Sequence, residues 1–332
     1  MSPETALALV ILATLVLYAL SGGADYGGGI WDLLARGPRA GAQRAVIEHA
    51  IGPIWEANHV WLVLVVVVLF TAFPPAFAVM MTALHIPVTL ILLGVVFRGS
   101  AFAFRKYDLA GEPDRRRWGT VFGVASALTP FFLGITLGGL ASGAIRVEHG
   151  LVSTGFWAGW TSPFAVACGL FAQALFAFLA AVYLTVDAEE EPAVQRDFRR
   201  RALGAGIALA PIAAGVFALA KDGAPTLFRG LTDWWAPLLL LGTSVCALGA
   251  LGALWTGRYR AARVAAAGQV TLILGGWGMA QYPYLVVPDV TVGAAATSPA
   301  TLRLLLTALA LGGVILLPSF VYLFYVFRRR TA

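Results

Sequence analysis

Residues 57–97 read ANHVWLVLVVVVLFTAFPPAFAVMMTALHIPVTLILLGVVF, and no Asp, Glu, Lys or Arg interrupts them. A helix that crosses the hydrocarbon core of a bilayer needs about 20 mostly apolar residues, so this run is long enough for two crossings. Pro74-Pro75 marks the turn between them. Charge-free runs recur at 5–24, 118–145, 150–186, 202–220, 234–257, 264–288 and 304–327. The sequence therefore predicts an all-α integral membrane protein of nine transmembrane helices, at roughly 5–24, 47–73, 76–104, 118–140, 160–186, 202–220, 234–256, 264–287 and 304–327. Residues 1–332 are read as a single polytopic membrane domain, because the longest gap between spans, from about Asp187 to Arg201, is too short for a soluble one. Only Glu4 precedes the first span, so no basic n-region marks it as a cleaved signal peptide.

The composition agrees. Of 332 residues, 59% are hydrophobic and 12% charged, and the mean hydropathy is +0.82. A soluble domain carries about 25% charged residues, so a soluble enzyme is excluded, as is a disordered chain. Two cysteines build neither a disulfide framework nor a zinc site, and four histidines limit haem or metal ligation. The net charge of +6 would suggest nucleic acid if the arginines formed a groove, but they sit in short clusters between spans.

Those clusters orient the chain. Of its 23 Lys and Arg, only Arg146, Lys221, Arg229 and Arg303 fall in the even-numbered connections. The rest lie in the odd-numbered loops, at their edges or in the C-terminal tail, so these are expected to be cytoplasmic and the N-terminus outside.

Charged residues within spans are costly and mark functional candidates. Asp25 lies in Ser21-Gly22-Gly23-Ala24-Asp25-Tyr26-Gly27-Gly28-Gly29, one to two turns above the inner end of span 1. The glycines would admit a close helix or ligand, or simply break the helix. Glu56 lies in Gly52-Pro53-Ile54-Trp55-Glu56-Ala57-Asn58-His59-Val60-Trp61, in the inner half of span 2. At helical spacing His49, Gly52, Glu56 and His59 share one face, with Trp55 and Trp61 pointing elsewhere. Arg98 ends span 3. It either snorkels to the interface or turns inward to pair with Asp25 or Glu56. Of the weaker signals, His85 reads as a hydrogen-bonded structural histidine rather than a haem ligand. Cys168 and Cys246 read as small apolar residues. Residues 281–289 read as an interfacial aromatic belt leading into an outer loop.

At these residues the chain resembles subunit II of cytochrome bd-type quinol oxidases. The resemblance rests on Gly23-Ala24-Asp25-Tyr26-Gly27, on Gly52 through Trp61, on Phe97-Arg98-Gly99-Ser100-Ala101-Phe102, and on the closing Thr291–Ala296 loop with its final span. It implies two four-helix bundles plus one peripheral helix, and a heterodimer in the bacterial cell membrane. Subunit I of that pair holds the b-type and d-type haems and the quinol site, and this chain holds no haem. The implied activity is quinol oxidation coupled to reduction of dioxygen to water, with protons drawn from the cytoplasm. The implied proton path runs through Asp25, Glu56 and Arg98, supported by Asn58, His59 and Trp55. The resemblance admits a quinone bound in this subunit and small single-span accessory subunits. Some members carry a further acid where this chain has Gly22. Two other classes compete on the residues alone. A proton- or ion-coupled secondary transporter would also bury Asp, Glu and Arg, although with broken helices at the midplane. A membrane haem-b electron carrier would use His49, His59 or His85.

Overall fold

The computed structural model describes residues 1–52, 55–107 and 112–329. In chain order they form α1 (Pro3–Leu33), α2 (Ala40–Ile51), α3 (Trp55–Ala72), α4 (Pro74–Ala83), α5 (His85–Tyr107) and α6 (Glu112–Ser142). The hairpin β1 (Val147–Glu148) and β2 (Leu151–Val152) follows, then α7 (Pro163–Asp187), α8 (Pro192–Gly223), α9 (Pro225–Gly230), α10 (Ala236–Trp255) and α11 (Tyr259–Gln281). A second hairpin, β3 (Tyr284–Val286) and β4 (Val290–Thr291), leads to α12 (Val292–Ala295) and α13 (Pro299–Arg329). Both hairpins are antiparallel. The second occupies the stretch read as an aromatic belt, whose short apolar run carries no hairpin signal of its own.

The long helices start where the sequence supplies caps. The Ser2 side chain accepts from the Thr5 N–H with Pro3 in the first turn, and Ser162 accepts from the Ala165 N–H ahead of Pro163. In each case a hydroxyl satisfies an orphan donor, and the proline sits where no N–H is needed. Among the described residues, seven helices are long and apolar enough to cross a membrane: α1, α5, α6, α7, α8, α10 and α13. An eighth arises if Asn58–Ala72 and Pro74–Ala83 count as one broken span, bent by 119°. The bend falls at the Pro74-Pro75 pair, but the chain continues as a short helix there, and the next long apolar helix begins at His85. α11 is also 23 residues long but carries Arg260, Arg263, Gln269 and Gln281 and is not in that set.

The centre of the molecule is α7, which packs against α8, α6 and α1. Of its apolar window 56% is buried, against 11% for α8 and α10 and 6% for α13. Large apolar side chains on the outer faces, including Phe70, Leu92, Val96, Leu248 and Val314, are exposed. A helix apolar on all sides with its large residues outward is built for lipid or for a partner, not for water. Inside, Tyr18, Tyr26, Trp61, Phe178 and Leu179 form one core cluster, and Ile47, Ile51, Phe122, Leu184 and Phe198 another at the end bearing α2.

The glycines of α1 allow this packing. A Cβ at Gly27 would overlap the Phe176 carbonyl oxygen of α7 and stand 2.6 Å from the Ala180 Cβ. Gly27→Ala must therefore push α1 off α7, and overpacking of this kind costs about 1–3 kcal/mol. The thermal midpoint of the purified protein should fall accordingly. An unchanged midpoint would show that α1 and α7 are not in this contact.

Candidate functional site

The buried charge is concentrated toward one end of the bundle. Arg98 of α5 is 1% exposed and Asp25 of α1 is 3% exposed, and the Arg98 Nη2 donates directly to the Asp25 Oδ1. The sequence left Arg98 with two readings, and the inward one holds, with Asp25 as the partner. Arg98 Nε donates to Ser126 Oγ of α6 at 3.1 Å. The guanidinium carbon lies 4.9 Å from the Tyr26 ring centroid and 5.0 Å from that of Phe122. A buried ion pair repays desolvation only when its remaining polar atoms are also satisfied. The serine and the two ring faces supply that compensation. Asn58 of α3 completes the site, its Nδ2 lying 3.5 Å from the Asp25 Oδ2 and 3.5 Å from the Ser21 carbonyl oxygen.

α1 and α5 run in the same direction here, and the pairing repeats along them. Seven residues on, Asp32 Oδ2 accepts from Arg105 Nη1 at 3.0 Å, and Arg105 Nη2 reaches Glu48 of α2 at 3.4 Å. Two helical turns, about 10 Å, separate the two pairs along the axis. Further along, Asp197 accepts from Arg39 (2.7 Å) and Gln43 (2.8 Å), and Arg201 donates to Gln43 Oε1 at 2.7 Å, which fastens α2 to α8.

In the opposite direction, Tyr18 donates its hydroxyl to the Tyr26 hydroxyl at 3.1 Å. The His59 ring packs beside both, with centroids 6.5 and 6.4 Å away. His59 Nδ1 is buried without a hydrogen-bond partner. His85 lies elsewhere: its Nδ1 is 2.9 Å from the Thr82 carbonyl oxygen and its ring packs on Phe156. Trp55 and Glu56 belong to the first turn of α3, but their side chains lie outside the described residues. The expectation that His49 and Gly52 share a helical face with Glu56 and His59 also crosses residues 53–54, which are outside the description.

Of the residues singled out by the sequence, the structure thus brings together Asp25, Arg98 and Asn58, with His59 beside the neighbouring tyrosines. The reading missed Ser126, Tyr26, Asp32 and Arg105. Arg105 was counted as a topology signal in a loop, and Ser126 carries no charge to flag it. A signal was available in the equal seven-residue steps from Asp25 to Asp32 and from Arg98 to Arg105, which put each second residue on the same helix face as the first.

A family model described as cytochrome bd terminal oxidase subunit II matches residues 3–327. The putative cytochrome bd menaquinol oxidase subunit II of Bacillus subtilis (strain 168) is 27% identical over 329 residues, which are 96% of this chain and 94% of that protein. The cytochrome bd-I ubiquinol oxidase subunit 2 of Escherichia coli (strain K12) is 26% identical over 179 residues, 53% of this chain and 46% of its own length. In the solved structure of bd oxidase from Geobacillus thermodenitrificans, one chain superposes with a TM-score of 0.79 at 22% identity. The superposition covers 98% of this chain and 99% of that one.

Proposed function

The chain belongs to the cytochrome bd terminal oxidase subunit II family, and from that membership we propose that it pairs with a haem-bearing subunit I and conducts protons from the cytoplasm to the site of dioxygen reduction. The complex is a quinol:oxygen oxidoreductase. Haems held by subunit I supply the redox chemistry when bound. In this reading the histidines of this chain hold no haem; His85 faces the Thr82 carbonyl and Phe156, and His59 lies beside Tyr18 and Tyr26. Replacing His49, His59 or His85 by Ala in the assembled complex should leave every haem band of the absorption spectrum in place. Loss of one band with subunit I still present would contradict this.

The observation that carries the proton role is the buried Asp25–Arg98 pair with Asn58 beside it. Glu56 stands two residues before Asn58 at the start of α3, so the residue belongs to the same end of the same helix. A carboxylic acid there can take up and release protons. Arg98 pairs with Asp25 and repels other cations. Asn58, His59 and Trp55 are the supporting polar residues of this path. The reading is tested by purifying the tagged chain from membranes, identifying what comes with it, and measuring quinol-supported oxygen uptake. A stable preparation with no haem protein and no oxygen uptake would refute it and favour a transporter.

In this reading the chain crosses the bacterial cell membrane nine times, through α1, α3, α5, α6, α7, α8, α10, α11 and α13, with the N-terminus outside. Two features support it. The arginine-rich connections fall at alternate ends of these helices, and α11 packs against α10, α7 and α1 despite its polar residues. The slight burial of α13 suits the peripheral helix of an arrangement in two four-helix bundles plus one. Quinol and lipid are the small-molecule partners, and a quinone bound in this subunit and small single-span accessory subunits belong to the same reading.

A further inference from the structure

From the second ion pair we infer that Asp32, with Arg105 and Ser126, forms the mouth of the proton path and that Asp32 is the group that takes protons from water. This rests on the reading of the chain as the proton-conducting subunit of the oxidase. Four observations carry it.

Exposure falls stepwise along the line of charges. The side chain of Glu48 is 35% exposed, Arg105 13%, Asp32 3% and Asp25 2%. Water thus meets Glu48 and Arg105 first, and the first fully buried carboxylate behind them is Asp32. Its two oxygens are not equivalent. Oδ2 accepts from Arg105, whereas Oδ1 is buried with no hydrogen-bond partner. A buried acceptor left unpaired is costly, and a proton or a water arriving at that oxygen removes the cost.

Asp32 and Arg105 lie in register with the deeper pair, one heptad from Asp25 and Arg98 on two helices running in the same direction. About 10 Å between the carboxylates is too far for one hydrogen bond and requires a group between them. Gly29, midway between Asp25 and Asp32 on α1, provides the space: a Cβ at this position would coincide with the Ser126 hydroxyl. Ser126 is fully buried and accepts from Arg98 Nε. A hydroxyl donates one proton while accepting another, so Ser126 passes a proton onward and recovers its own. Arg105 brings a guanidinium cation to the mouth. It holds Asp32 in place and repels metal cations, while protons reach Asp32 through hydrogen bonds. In each cycle a hydronium ion at the mouth gives its proton to the Asp32 carboxylate and leaves as water. That O–H bond breaks as the proton passes inward, by way of the Ser126 hydroxyl and intervening water, to the Asp25 carboxylate, and the Asp32 carboxylate is restored.

The test uses the intact complex with Asp32→Asn. Its quinol-supported oxygen uptake per haem should fall at least about fivefold, within the range of a lost proton-transfer group. Proton uptake, followed with a pH-indicator dye after the reduced complex is mixed with oxygen, should slow by a similar factor. Asp32→Glu should recover at least half of both rates. Ser126→Ala, which removes one atom and no charge, should slow proton uptake about twofold or more. If Asp32→Asn behaves as wild type while Glu56→Gln is slow, the mouth lies elsewhere and the path reading stands. If Asp32→Asn, Asp25→Asn and Glu56→Gln all behave as wild type, the path reading itself fails. A lower yield of complex with an unchanged rate per haem makes Asp32 structural and overturns the inference. Should Asp32→Asn fail to assemble, wild-type proton uptake in Ser126→Ala overturns it equally.

Discussion

Arg98→Met should lose most of the assembled complex, with a stability cost of about 3–5 kcal/mol, because it leaves the Asp25 carboxylate buried and uncompensated. The guanidinium is the largest fully buried side chain described, and it contacts Asp25, Ser126, Tyr26 and Phe122 together. Methionine fills much of its volume, so the loss measures the charge rather than a cavity. The companion experiment is the double variant Arg98→Met/Asp25→Leu. Replacing a buried pair by apolar residues of similar size is often neutral, so the double variant should recover most of the yield and thermal midpoint. It should nevertheless turn over poorly, since no ionisable group remains at that level of the path. Measurements of yield in detergent, thermal midpoint and oxygen uptake separate the two effects. A single variant as stable as the double would show that the pair contributes nothing to the fold.

Glu56→Gln should keep assembly and haem content but lower the oxygen-reduction rate at least about tenfold, a barrier change of about 1.4 kcal/mol. The amide matches the acid in size and hydrogen bonding but cannot release a proton at neutral pH. Glu56→Asp keeps the ionisable group one methylene shorter and should retain much of the activity. The contrast between the two variants is the informative quantity. Equal, wild-type turnover in both would make Glu56 a structural residue. Equal loss in both would mean that the length of the side chain matters and not its proton.

Much of this protein was legible in its sequence because the bilayer imposes simple rules. A span must be about 20 apolar residues long, and its backbone must satisfy itself as a helix. Runs free of charge therefore mark most of the long helices without any knowledge of contacts. The cost of burying charge likewise marked Asp25, Glu56 and Arg98 as candidates. The same logic could not place α4 as a separate helix after the Pro74-Pro75 bend, nor the β3–β4 hairpin, because both are short apolar stretches whose form depends on what they pack against.

The sequence by itself determined the helical class, the positions of most long apolar helices and the short set of ionisable candidates, since each follows from composition and spacing along one chain. Only the tertiary structure decided which charges meet. Arg98 could point to the interface or inward on sequence grounds, and it turns inward because Asp25, Ser126 and two aromatic faces from α1 and α6 stand around it. Asp32 and Arg105 looked like ordinary residues near a helix end, and they form a second pair because α1 and α5 run in the same direction in matching register. The Ser126 hydroxyl fits against α1 only because residue 29 of that helix has no side chain. Those relations depend on how separate helices are rotated and stacked, and hydrophobic periodicity along a single chain carries no record of that.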